Sequence, residues 1–110
     1  PPLFSVKGLN GSLSVYEYKI KISRHGVRNL LHGMRGDREI LMNNIFALKI
    51  RRGNFFQRGY LHFTFVENTI LPKNIKLIDD KNTILFRSKN NEDFIRAKEL
   101  IEEKIYELNQ

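Results

Sequence analysis

Apolar residues alternate with polar ones along most of the chain, and near Asn91 the spacing of apolar residues changes. Alternation marks a strand with one face in a core and one in water, whereas a 3.6-residue period marks an amphipathic helix. Leu13 and Val15 alternate with Ser12, Ser14 and Tyr16, just after the turn signal Asn10-Gly11. Ile20 and Ile22 alternate with Lys19, Lys21 and Ser23, which predicts a second strand with a basic outer face, ended by Gly26. Val27 to His32 reads as a further strand. The two glycines of Gly33-Met34-Arg35-Gly36-Asp37 predict a turn, and Ile40-Leu41 a short strand after it. Phe46, Leu48 and Ile50 alternate with Ala47, Lys49 and Arg51, and Leu61, Phe63 and Phe65 with Tyr60, His62 and Thr64. The segment between them, Arg52-Gly53-Asn54-Phe55-Phe56-Gln57-Arg58-Gly59, has glycines at both ends and predicts a hairpin. Ile84 and Phe86 close the β region after the turn cluster Asp79-Asp80-Lys81-Asn82.

From Asn91 onward Phe94, Ala97, Ile101, Ile105 and Leu108 form one apolar stripe, with Leu100 beside it. Asn90 or Asn91 is placed to cap the helix, and Glu92-Asp93 suit its positive N-terminal end. Glu99, Glu102, Glu103 and Lys104 make its wet face. Six or seven strands over about 11–87, then one helix over about 91–108, predict an α+β domain, mainly β. The expected shape is a bent antiparallel sheet or partial barrel, plugged at one end by the helix.

Length and composition narrow this picture. A chain of 110 residues is one domain, with apolar content of 41% and enough buried surface for a single core. It has no cysteine, which excludes a disulfide framework, a thiolate nucleophile and a zinc–thiolate site. No apolar run reaches the ~18 residues of a membrane span, and no signal peptide stands at the start, so a cytoplasmic location is expected. The start Pro1-Pro2, without Met, fits a piece of a longer protein, and the stripe that runs to Leu108 fits either a continuing helix or a frayed end. The formal net charge is +7. Residues 1–60 hold 11 Lys and Arg against 3 Asp and Glu, while residues 61–110 hold 8 against 9. A basic half attracts anionic partners without specifying one.

Several of these segments together resemble a known family. Gly11-Ser12-Leu13-Ser14-Val15-Tyr16-Glu17 is similar to the opening strand of the small bacterial pleckstrin-homology-like domains of unknown function, which often sit beside a helical SHOCT module. Gly36-Asp37-Arg38-Glu39-Ile40, Asn44-Ile45-Phe46-Ala47-Leu48 and Gly59-Tyr60-Leu61-His62-Phe63 follow in the same order. Asn82-Thr83-Ile84-Leu85-Phe86-Arg87, then Asn91-Glu92-Asp93-Phe94, resemble the end of that domain, so the likeness spans about residues 8–106. The resemblance implies two packed, nearly orthogonal antiparallel sheets with a C-terminal helix over one open corner. It implies a binding or assembly module with no catalytic residues to carry over. The chain has no Trp, and Phe94 stands where many eukaryotic members of the superfamily place one.

Two basic sets are candidates for anion binding. The first is Lys19, Lys21, Arg24 and Arg28; Lys19 and Lys21 project from one face of a strand and can converge on a phosphate. Lysines on a strand exterior also simply block edge pairing. The second is Lys49, Arg51, Arg52 and Arg58, interleaved with Phe55, Phe56 and Tyr60. Cations beside aromatic rings on a hairpin suit single-stranded nucleic acid. Phe55, Phe56 and Tyr60 are also a candidate protein interface, because two adjacent phenylalanines in a loop tip either fold back onto the core or form an apolar contact patch.

Nothing in the chain points to catalysis. His25, His32 and His62 lack the spacing of a metal site, and no nucleophile elbow or phosphate loop occurs. Asp79-Asp80 reads as a solvated pair in a turn, Arg35-Gly36-Asp37 as a turn, and the sequon Asn10-Gly11-Ser12 also as a turn. The expectation is a non-enzymatic module without cofactor, metal or small-molecule substrate. Its expected partner is protein, with homo-oligomerisation included; the alternative is nucleic acid or an acidic membrane surface.

Overall fold

The computed structural model describes residues 1–24, 36–66 and 80–110. Within them lie strands β1 (Phe4–Lys7), β2 (Ser12–Val15), β3 (Lys19–Arg24), β4 (Gly36–Leu41), β5 (Ile45–Arg51), β6 (Gly59–Phe65) and β7 (Thr83–Phe86). A 3₁₀ turn, Met42–Asn44, joins β4 to β5, and a second, Ser88–Asn90, leads into helix α1 (Asn91–Leu108). The strands form two antiparallel sheets, β1-β2-β3-β4 and β5-β6-β7, in which sequence neighbours are sheet neighbours. The fold is thus α+β and mainly β. No hydrogen-bonded ladder joins the two sheets among the described residues, so the expected partial barrel stays open.

Alternation decides which side chains enter the core. Leu13 and Val15, Ile20 and Ile22, and Leu61, Phe63 and Phe65 are buried, while the polar residues between them face outward. Helix α1 buries Phe94, Ala97 and Ile101 against the sheets. Phe94 stacks on Phe86 of β7 with ring centroids 4.2 Å apart and planes 6° from parallel. Ile105 only packs at the margin, and Leu108 is exposed, so the apolar stripe fades over the last turn.

β7 is buried at all four positions because both its edges are occupied. β6 pairs with one edge. On the other, Leu9 donates its N–H to the Leu85 carbonyl at 2.7 Å, and Leu85 donates to Asn10 Oδ1 at 2.8 Å. Asn10 Nδ2 reaches the Thr83 carbonyl at 3.4 Å. The β1–β2 turn thereby substitutes for a neighbouring strand and ties the two sheets together. Asn10 is 1% exposed and its amide is committed inward, so the sequon is structural.

Four local expectations change. β1 escapes sequence reading because Val6 is its one fully buried side chain, too few for an alternating pattern. Gly36 and Asp37 belong to β4 rather than to a turn; Gly36 opens the strand at φ +85°, a conformation that suits glycine. In β5 the register shifts between Ile45 and Ala47, so Ile45 is buried and Phe46 is 67% exposed. This β-bulge inserts one residue, reverses the inward face, and ejects a phenylalanine that plain alternation places inside. Neither Asn90 nor Asn91 caps the helix with its side chain. The strand expected at Val27–His32 and the turn residues Gly33–Arg35 lie outside the described residues.

Candidate functional site

The outer face of β3 does not present free cations. Antiparallel pairing with β4 sets Asp37 and Glu39 beside Lys21 and Lys19. Lys19 Nζ lies 3.1 Å from Glu39 Oε1, and Lys21 Nζ 3.7 Å from Asp37 Oδ2. Lys19 also sits over the Tyr16 ring, 5.2 Å from its centroid. Arg24 is a correction to the proposed surface set, for it is 4% exposed. Its Nη1 donates to the Asn10 carbonyl at 3.0 Å, and its Nη2 to the carbonyls of Lys81 at 2.8 Å and Thr83 at 2.9 Å. Burial holds the guanidinium below its ordinary value, the Arg38 charge adds to this, and Asp80 partly offsets it. Arg28 lies outside the described residues.

Arg24 belongs to a polar clamp that ties the first sheet to the turn before β7. Arg38 donates to Asn82 Oδ1 at 3.0 Å and to the Lys81 carbonyl at 3.2 Å, and lies over the Phe65 ring. Asp80 accepts from the Asn82 N–H at 2.8 Å and the Thr83 hydroxyl at 3.0 Å. His62 Nδ1 stands 2.9 Å from Thr83 Oγ1 and 3.3 Å from Asp80 Oδ2. Asp80 is therefore largely buried and engaged, not solvated as its turn composition suggests. Its neighbour Asp79, like His25 and His32, lies outside the described residues.

The β5–β6 hairpin makes a different surface. Asn54 and Gln57 exchange backbone hydrogen bonds across the tip, and Asn54 Oδ1 accepts the Phe56 N–H at 2.8 Å. This Asx turn fixes the backbone without any help from core burial. Phe55 is 94% exposed and Phe56 92%. Their rings meet edge to face, with centroids 5.2 Å apart at 82°. At the root of the hairpin Gly53 and Gly59 pack so closely that a Cβ on Gly59 would collide with the Phe86 ring and the Arg51 carbonyl.

The four cations of this hairpin differ in availability. Arg51 donates to the Arg58 carbonyl at 2.8 Å and stacks on Tyr60, 4.6 Å from the ring centroid. Tyr60 is consequently half-buried support for Arg51, and not a free contact residue beside the two phenylalanines. Arg52 pairs with Glu92 of α1 at 2.9 Å. Lys49 and Arg58 are exposed and without an acidic partner among the described residues. Arg87, also exposed, joins Arg58 beside the phenylalanines in a shallow groove completed by Asn54, Gln57 and Ser88. Sequence reasoning missed Arg87 because only the β6–β7 pairing Gly59↔Phe86 brings it to the tip.

A second groove runs between the N-terminal segment and α1. Leu3, Phe4 and Leu100 supply its apolar floor, and Arg96, Glu99, Glu103 and Lys104 its rim. Arg96 is engaged over the Phe4 ring at 5.6 Å. Lys104 is held by Glu17 at 3.2 Å and Glu107 at 3.3 Å, and hydrogen bonds to these carboxylates hold its ammonium above the ordinary value. Glu99 and Glu103 have no basic partner among the described residues.

Among the described residues no three His, Asp or Glu side chains stand close enough to hold a metal ion. No helix there is long and apolar enough to cross a membrane. Comparison with family models, curated proteins and solved structures finds no match.

Proposed function

We propose that this chain is a non-catalytic binding or assembly module of pleckstrin-homology-like type, and that it contacts protein through the tip of the β5–β6 hairpin. The four-stranded and three-stranded antiparallel sheets with one C-terminal helix support the pleckstrin-homology-like reading. The observation that carries the function is the pair Phe55 and Phe56, both almost wholly in water on a backbone held by its own turn. A backbone already held in its turn loses little entropy on binding, and aromatic anchors are common at the centre of protein interfaces.

Contact with an anionic surface is the second reading. Lys49, Arg58 and Arg87 favour it, since they have no acidic partner among the described residues. The β3 lysines no longer favour it, because Asp37 and Glu39 stand against them.

A single fluorescent reporter tests the tip. The chain has no Trp, so Phe55→Trp reports on the tip alone and Phe46→Trp on an exposed position that lines neither the tip groove nor the α1 groove. The expected result is a blue shift of the Phe55→Trp emission as wild-type chain is added, with Phe46→Trp unmoved. Association that moves Phe46→Trp and leaves Phe55→Trp unchanged overturns the reading.

A further inference from the structure

The hairpin tip and the α1 groove are opposites in chemistry. The tip offers two apolar rings flanked by Arg58 and Arg87, neither of which has an acidic partner among the described residues. The groove offers an apolar floor of Leu3, Phe4 and Leu100, edged by Glu99 and Glu103, neither of which has a basic partner among them. The other two rim cations are already committed, Arg96 to Phe4 and Lys104 to Glu17 and Glu107. The groove measures ≈ 390 Å³.

We propose that the tip of one copy docks in the α1 groove of a second copy, with Phe55 and Phe56 on Leu3 and Leu100, beside the Phe4 ring that Arg96 covers. Arg58 and Arg87 then face Glu99 and Glu103. The proposal rests on the tip being the contact element and adds its partner. A second copy is favoured over an anionic membrane or nucleic acid because this same chain carries a groove with apolar side chains in its floor and two carboxylates, Glu99 and Glu103, without a basic partner among the described residues. The residues lining the two surfaces do not overlap, so one molecule can use both at once. Such a contact is heterologous, and it builds an open chain of subunits unless the rotation between copies closes a ring.

Complementary variants test this directly. Phe55→Ser/Phe56→Ser removes the wedge and keeps the groove, while Glu99→Arg/Glu103→Arg reverses the rim and keeps the wedge. All four positions are exposed, so both variants are expected to fold, and thermal melts matching the wild type are the check. The first substitution pair is expected to weaken association about 100-fold, and the second at least about tenfold by setting like charges together. In light scattering on a sizing column, each variant alone should remain monomeric. Their 1:1 mixture should form a dimer that grows no further, since only one productive contact is left. Assembly of Glu99→Arg/Glu103→Arg like the wild type overturns the groove as the partner while leaving the tip reading intact. A wild type that stays monomeric at every concentration overturns the proposal. If Phe55→Trp then shifts only on acidic vesicles or oligonucleotide, the tip serves an anionic surface; if nothing shifts it, the tip reading falls as well.

Discussion

Asn91 pairs with both backbone polar groups of Gly53: the Gly53 N–H donates to Asn91 Oδ1 at 2.8 Å, and Asn91 Nδ2 donates to the Gly53 carbonyl at 3.0 Å. The first residue of α1 thus reads the root of the β5–β6 hairpin 38 positions earlier in the chain. Its side chain acts as a short length of strand, not as a helix cap. The exposed tip inherits its orientation from this contact, because the hairpin base can swing only if both bonds break.

Asn91→Ala is expected to destabilise the domain by about 2 kcal/mol, roughly 1 kcal/mol for each lost bond, as measured by urea denaturation. Amide exchange at Asn54 and Gln57 should accelerate more than exchange in β2 and β3. Equal acceleration everywhere would show that Asn91 contributes to global stability without orienting the tip.

Arg24→Ala should be among the most disruptive single polar substitutions in the chain. It removes three charge-assisted hydrogen bonds, to the carbonyls of Asn10, Lys81 and Thr83, and of the three only Lys81, through Arg38, and Thr83, through Asn10 Nδ2, keep another side-chain donor. Hydrogen bonds to a charged group contribute about 1.5–3 kcal/mol each, so a loss of about 3 kcal/mol or more is expected in a denaturation midpoint. Arg24→Lys should recover only part of it, since a single ammonium cannot fork across carbonyls on two elements. A surface arginine would instead tolerate both changes within about 0.5 kcal/mol.

The bulge in β5 separates two phenylalanines that alternate equally well in the sequence. Phe46→Ser should change stability by less than about 0.5 kcal/mol, because the ring already faces water. Phe63→Ala, at a wholly buried position, should cost about 3–5 kcal/mol. Comparable losses for the two would place Phe46 in the core and remove the bulge.

Lys104 gives the fold a signature at high pH. Its ammonium is favoured by Glu17 first and Glu107 next, so its folded pKa lies above the unfolded one. A raised lysine stabilises fully below the unfolded value of about 10.4 and loses that contribution as pH rises through the folded value. The melting temperature of wild type should exceed that of Lys104→Met by a constant amount from pH 6 to 9. The gap should close above pH 10.5 or so; a gap that widens there would contradict the ion pairs.

Particular residues show how far the chain can be read before it folds. Leu61, Phe63 and Phe65 were legible as a core strand because nothing interrupts their alternation, and Phe94, Ala97 and Ile101 as a helix face for the same reason. Phe55 and Phe56 are legible as a candidate contact in a loop tip, but the sequence leaves open a return to the core, which only the folded turn decides against. Arg24 reads as a surface cation in the sequence, since its acceptors lie 14, 57 and 59 positions away. Phe46 was misplaced because a bulge is a property of two paired strands, not of one. Lys19 and Lys21 looked free only while β4, and with it Asp37 and Glu39, had no assigned register.

The most direct test of the tip as contact element is molar mass by light scattering over a rising concentration series, for wild type and Phe55→Ser/Phe56→Ser side by side. Wild-type mass should climb with concentration and persist at high salt, because burial of the two rings is not screened. The double variant should stay at the mass of one chain. Identical mass profiles for the two proteins would contradict the account.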